Sequence, residues 1–277
     1  MAENVYKHVR PQRLKPRCRL SELGRGLLAT TSSLNSTLSW GCEIPVQFGR
    51  NIFFIRFPSG FHSKRVAQTS GRPCAGVGSS GWPLLVYLHG SDGRALFNYS
   101  KKSLLTQGLQ FAADSFVVIS PECDWKWKES PKPWIYDLIA AFRVADWIDH
   151  RRIYLTGYSL GGMGVWEVAA QVPHVFAAIV PVAAYHKPGH EGHIARSLVK
   201  MPILPAHGTL DSCCRISDEI PLWTAIEQQG HVGIQCLQFP GKDHDVFVEA
   251  YCLTTQLYTW MLRHMLMCED RETQASV

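Results

Sequence analysis

Three residues far apart in this chain have the types needed to attack an acyl carbon. Ser159 stands in Gly157-Tyr158-Ser159-Leu160-Gly161, Asp211 in His207-Gly208-Thr209-Leu210-Asp211, and His244 in Pro240-Gly241-Lys242-Asp243-His244-Asp245. A serine hydroxyl is a weak nucleophile until a base takes its proton. An imidazole can do so near neutral pH, and a carboxylate can hold that imidazole in the right tautomer and stabilise its cation. The G-x-S-x-G spacing has a mechanical reason. A serine on a sharp strand-to-helix turn adopts strained backbone angles, so the residues two positions away must lack Cβ atoms that would strike neighbouring strands. The hydroxyl then stands exposed, with the N–H groups and positive dipole end of the next helix beneath the developing charge. Gly162 and Gly164 extend the small-residue stretch and allow close helix packing.

The elements that must position these residues are legible around them. Short apolar runs at Leu84–Leu88, Phe116–Ile119, Ile153–Thr156, Ala177–Val182, Ile203–Ala206 and Ile234–Phe239 predict strands, preceded by a β-rich run at Ile52–Phe57. Between them, 3.6-residue spacing predicts helices over Trp134–Ile148, Leu160–Gln171 and Glu219–Gln229, with a last one from Val246 to Met267. Unbroken apolar strands separated by crossover helices imply a mostly parallel central sheet with helices on both faces. In such sheets the crevice lies outside the carboxyl ends of the strands, and Ser159, Asp211 and His244 each follow one.

The strand Leu84–Leu88 runs into His89-Gly90-Ser91-Asp92-Gly93. The backbone N–H of Ser91 is placed to join that of Leu160 as the two donors to an oxyanion, while the His89 ring is expected to brace the turn. Asp211 is preferred to the other acids because Asp218 lies a turn too late, and Asp243 and Asp245 are too close in sequence to reach the His244 ring. His207 precedes the acid loop and is expected to pack structurally. Asp92, Tyr158, Trp125 and Trp127 are candidate substrate-binding residues; the segment Cys123–Trp127 suits an aromatic pocket wall and equally a packed surface loop. His186, His190 and His193 have spacings open to a metal, but Pro188, Gly189 and Gly192 oppose a regular helix and, Glu191 apart, no carboxylate or cysteine pattern completes a site. No metal is expected, and Tyr185–Lys200 reads as a short loop over the site. Cys213 and Cys214 are open to a redox role, though two small buried residues beside the acid is the simpler reading.

Composition narrows the classes. In 277 residues, 46% are hydrophobic and 18% charged, enough apolar surface for a sizeable core. The net charge of +5 is concentrated in residues 1–40, with seven basic and two acidic side chains; the remainder holds 21 of each. A neutral body lacks the footprint of a nucleic-acid binder. Residues 1–44 are expected to be a basic, poorly ordered arm, 45–267 the folded domain with a Gly/Ser/Pro-rich insertion at 62–82, and 268–277 a tail. No apolar run reaches the roughly 18 residues of a membrane span. Nine cysteines at scattered spacings form no zinc motif or disulfide framework. With no signal-like apolar core, a cytoplasmic setting is expected, the Arg- and Ser-bearing arm leaving organellar targeting open.

The order Ser159, Asp211, His244, at intervals of 52 and 33 residues, matches the Ser…Asp/Glu…His order of α/β-hydrolases. The chain resembles that superfamily, and within it the compact group of esterases and prolyl-oligopeptidase-like or phospholipase/carboxylesterase-like hydrolases. The stretches that carry the likeness are PLLVYLHGSDG (83–93), VVISPEC (117–123), RIYLTGYSLGGMGVWEVAAQVPHVFAAIVP (152–181), AHGTLD (206–211) and PGKDHDVFVEAY (240–251). The resemblance implies an α/β-hydrolase fold and cofactor-free, serine-dependent hydrolysis of small-molecule carboxylic esters through an acyl-enzyme, with Ser159 as nucleophile, Asp211 as acid and His244 as base. The same groups would also serve a serine peptidase or a thioesterase, and the fold alone would serve a non-catalytic binding protein. The chain departs from the pattern in its arm, in the 62–82 insertion and at Asp211-Ser212-Cys213-Cys214, departures that bear on the pocket more than on the three reacting residues. Oligomeric state is not encoded in any of these features.

Overall fold

The computed structural model describes residues 12–14, 44–58, 81–91, 115–123, 127, 133–145 and 147–267. The strands are β1 (Gln12–Leu14), β2 (Ile44–Phe48), β3 (Asn51–Arg56), β4 (Trp82–Leu88), β5 (Val117–Pro121), β6 (Ile148–Tyr158), β7 (Ala178–Val182), β8 (Ala206–Gly208) and β9 (Leu237–Phe239). The helices, in chain order, are α1 (Pro133–Arg143), α2 (Leu160–Gln171), α3 (Glu191–Leu198), α4 (Ile216–Gln228), α5 (Phe247–Tyr251) and α6 (Gln256–Leu262). Among the described residues the strands form one sheet in the order β1-β2-β3-β5-β4-β6-β7-β8-β9. From β5 to β9 every neighbour is parallel, whereas β3 runs antiparallel to both β2 and β5.

Both faces of the sheet are covered, which explains why the strands read as continuous apolar runs. On β4, Leu84, Val86 and Leu88 face a core shared with α1 to α4, while Leu85 and Tyr87 face the opposite core, built with α5 and α6. All five side chains are buried, each stabilising the fold by about 1.5–3 kcal/mol relative to exposure. Among the described residues no helix is long and apolar enough to cross a membrane.

Several boundaries differ from expectation. Of the segment read as an arm, Gln12–Leu14 pairs parallel with β2, and Ile44 already belongs to β2. Of the 62–82 insertion, residues 62–80 lie outside the described residues, as does the 268–277 tail, but Trp82 is the first, buried residue of β4. Helix α1 stops at Arg143, not Ile148: the apolar positions continue, but Ala145 and Trp147 form a turn and Ile148 opens β6. The expected terminal helix is two helices. The seven-residue spacings Ala250 to Leu257 and Tyr251 to Tyr258 run straight through the break, so periodicity alone read one helix. A threonine pair interrupts it, the Thr254 hydroxyl accepting the Gln256 N–H at 3.0 Å.

Candidate active site

The carboxyl ends of β4, β6, β7, β8 and β9 lie in order along one sheet edge, and the residues singled out from the sequence follow them. Ser159 follows the longest strand, β6, and caps α2 with φ 55° and ψ −117°, a backbone conformation a serine keeps only when its surroundings impose it. Its N–H donates to the Val182 carbonyl at 2.9 Å and its carbonyl accepts the Met163 N–H at 3.0 Å. The flanking glycines make the turn possible. A Cβ on Gly161 would sit 1.9 Å from the Leu88 carbonyl oxygen, and one on Gly157 would sit 2.5 Å from the Gly161 oxygen. Leu160 is the first residue of α2, so its N–H has no acceptor within the helix, and Ser91 shares the same cleft.

Asp211 and His244 come from the loops after β8 and β9. His244 Nε2 lies 2.9 Å from Ser159 Oγ, and its Nδ1 lies 2.9 and 3.1 Å from the two Asp211 carboxylate oxygens. The Asp211 side chain is fully buried, and its Oδ1 also accepts the N–H groups of Cys213 at 3.0 Å and Cys214 at 2.7 Å. A carboxylate can only accept, so Nδ1 must carry the proton and Nε2 is left with a lone pair facing the serine hydroxyl. These contacts bring together residues separated by 33 and 85 positions.

Two supports for this geometry come from the sequence neighbours of His244 and Ser159, whose roles the sequence did not give. Asp243, considered only as a rival acid, accepts the N–H groups of both Ser212 and His244 at 2.8 Å and so clasps the acid loop to the base loop. Tyr158, expected to touch substrate, instead donates its hydroxyl to the His244 carbonyl at 2.9 Å and packs its ring 5.5 Å from the imidazole. Trp127 also departs from expectation. It is completely buried, its indole N–H donating to the His89 carbonyl at 3.2 Å, so it braces the loop after β4 and offers no face to a ligand. Asp92 and Trp125 lie outside the described residues. The His89 ring is buried, Nε2 accepting the Cys123 N–H at 3.0 Å and Nδ1 donating to the Gly90 carbonyl at 2.8 Å.

A cleft of about 780 Å³ opens beside Ser159, within the range of small-molecule sites. One wall is Tyr185, His186, Pro188 and Glu191, where the expected loop gives way to α3; the other holds Cys213, Cys214 and Asp218. The three histidines of this region do not converge. His186 sits between Glu219 and Glu191 at 3.0 Å each, His190 meets Glu167 at 2.9 Å, and His193 meets Gln171 at 3.4 Å. For His186 burial, the largest single influence, disfavours charge, but hydrogen bonds and attraction from the two glutamates outweigh it and raise the pKa above the usual imidazole value. His207 is fully buried against Trp223, and burial holds its pKa down.

Comparison with known proteins agrees with the fold. A model of the dienelactone hydrolase family matches residues 118–251, a span that contains Ser159, Asp211 and His244. A bifunctional acetylxylan esterase/xylanase from Neocallimastix patriciarum is 28% identical over 187 residues, 64% of this chain; those residues are 26% of that protein, so the chain spans about a quarter of its relative. Among solved structures, an S-formylglutathione hydrolase from Staphylococcus aureus superposes with a TM-score of 0.60 at 15% identity, over 80% of this chain and 96% of that one. A thermostable esterase superposes with 0.59 at 19% identity, over 81% of this chain and 63% of that one. Those likenesses are of fold. With the parallel sheet, the strained serine turn after β6 and the family match across the same residues, the chain has an α/β-hydrolase fold.

Proposed function

We propose that this chain is a serine esterase acting on small carboxylic esters. The observation that carries the proposal is the 2.9 Å contact of Ser159 Oγ with His244 Nε2, backed by Nδ1 on buried Asp211. His244 takes the hydroxyl proton as Ser159 attacks the ester carbonyl. The Leu160 and Ser91 N–H groups stabilise the oxyanion, and the protonated imidazole returns its proton to the departing alcohol. Water then enters, gives a proton to His244, attacks the acyl-serine and releases the carboxylic acid with Ser159 restored. The ester bond is favoured over a peptide bond by the family match and by the esterase named in the Neocallimastix patriciarum relative.

A fluorophosphonate probe should label Ser159 in the purified chain, and Ser159→Ala should abolish labelling and lower kcat on p-nitrophenyl acetate by about 10⁴-fold or more. Absence of both labelling and turnover would leave only a binding protein of this fold. Aminoacyl anilides hydrolysed faster than matched esters would overturn the choice of bond.

A further inference from the structure

The acid loop ends in two adjacent cysteines whose side chains the reaction above does not use. Cys213 is exposed and Cys214 buried, and both line the cleft beside Ser159. Their sulfur atoms and a ring nitrogen of His244 all lie within 4.8 Å of one another. We propose that Cys213, Cys214 and His244 form an inhibitory site for a soft divalent cation of the zinc type.

The donor set fits such an ion. Two thiolates and an imidazole are ligands for zinc and its soft neighbours, whereas magnesium and calcium want oxygen, and the trio contains none. A tetrahedral zinc with sulfur at about 2.3 Å and nitrogen at about 2.0–2.1 Å holds its sulfurs about 3.8 Å apart and sulfur about 3.5 Å from nitrogen, so the trio needs to contract by about 1.3 Å at most, within reach of side-chain rotation at the exposed Cys213. The ion reaches both sulfurs through the opening used by substrate. On binding, the two thiols release their protons to solvent as two metal–sulfur bonds form, and the imidazole contributes a lone pair; no electron changes hands.

Inhibition follows from the way His244 is already committed. Its Nε2 faces Ser159 and its Nδ1 faces Asp211. A metal on Nε2 takes the lone pair that must accept the serine proton. A metal on Nδ1 displaces Asp211 and leaves the proton on Nε2, the wrong tautomer for a base. Either way the metal-bound enzyme cannot start the reaction. The inhibition rests on the esterase reading; the site itself rests only on the geometry.

The test uses the full chain, reduced and freed of metal, with cobalt(II) as spectroscopic probe and zinc chloride as inhibitor. Cobalt should produce a near-ultraviolet thiolate-to-metal band that zinc removes. Zinc should slow p-nitrophenyl acetate hydrolysis and fluorophosphonate labelling at least tenfold, with recovery on adding a chelator. Cys213→Ser and Cys214→Ser should each abolish the band and raise the inhibiting zinc concentration at least tenfold, each judged against its own metal-free rate. Should a variant not fold, zinc protection of Cys213 from iodoacetamide, read by mass spectrometry on the unaltered chain, gives the same answer. Absence of the band, its survival in both variants, or unchanged zinc sensitivity in both would overturn the site. A cobalt–thiolate band in a chain with no esterase activity would instead retain the site and refute the esterase.

Discussion

Replacing Asp211 with Asn tests the relay without emptying the space beneath it, and the hydrogen bonds decide which way the new amide faces. Asp211 Oδ1 accepts two backbone N–H groups, from Cys213 and Cys214, so the amide oxygen must take that position; an NH₂ there would face two donors. The NH₂ is thereby forced toward His244 Nδ1, which must become an acceptor. The ring proton then moves to Nε2, where it points at Ser159 Oγ and removes the base. Loss of the correct tautomer in such a relay costs about 10⁴-fold in kcat, or about 5.5 kcal/mol of transition-state stabilisation. KM should hardly change, because Asp211 is buried beneath the imidazole and does not line the cleft. The assay is steady-state hydrolysis of p-nitrophenyl acetate by the wild-type and Asp211→Asn chains, with circular dichroism to check the fold. A fall in kcat of less than tenfold in a folded variant would refute the assignment of Asp211 as the orienting acid, and a loss confined to KM would place it in substrate binding instead.

Gly161→Ala would drive a methyl group to within 1.9 Å of the Leu88 carbonyl oxygen, separating β4 from α2. Stability should fall by at least the ~1–3 kcal/mol typical of overpacking, and an unchanged urea midpoint would contradict the packing described. Thr156 Oγ1 donates to the Val180 carbonyl at 2.7 Å and accepts from the buried Tyr251 hydroxyl at 2.7 Å. Thr156→Val removes both bonds, leaves the buried Tyr251 hydroxyl without this partner and should cost about 1–3 kcal/mol in urea unfolding, whereas a neutral result would mean water replaces the hydroxyl. His186 has a raised pKa in the fold, so the native state holds its proton more tightly than the unfolded chain does. Its contribution is complete below the ordinary imidazole value and is lost as pH rises through the native value. His207, lowered by burial, has the opposite sign: its contribution is present above the ordinary value and is lost as pH falls through the native one. The Tm difference between wild type and His186→Gln should therefore be larger at pH 6 than at pH 8.5; a constant difference would refute the ionic role of His186.

The mostly parallel sheet was legible because both faces are buried: Leu84 to Leu88 read as one apolar run where alternate side chains enter two different cores, whereas the placing of β5 between β3 and β4 was not. The turn around Ser159 was legible because only glycine fits at Gly157 and Gly161, a steric demand written directly into residue type. Element ends were less so. Ala145 and Ile148 keep the helical period while belonging to a turn and a strand, and Ala250 and Leu257 keep it across a break. The pocket was least legible. Trp127 and Tyr158 have the chemistry of ligand-facing aromatics, and nothing local says that one is sealed under the His89 loop and the other turned toward the His244 backbone.

By itself, then, the sequence determined the reacting types, their order and the strand ends that carry them, because local sterics and burial patterns act over a few residues. Only the tertiary structure decided how the loops after β8 and β9 are clasped through Asp243, which tautomer the Asp211 contacts impose on His244, and that two cysteine sulfurs come close to the same imidazole. Those outcomes depend on hydrogen bonds and contacts between residues about 30 to 85 positions apart, which no window of sequence contains.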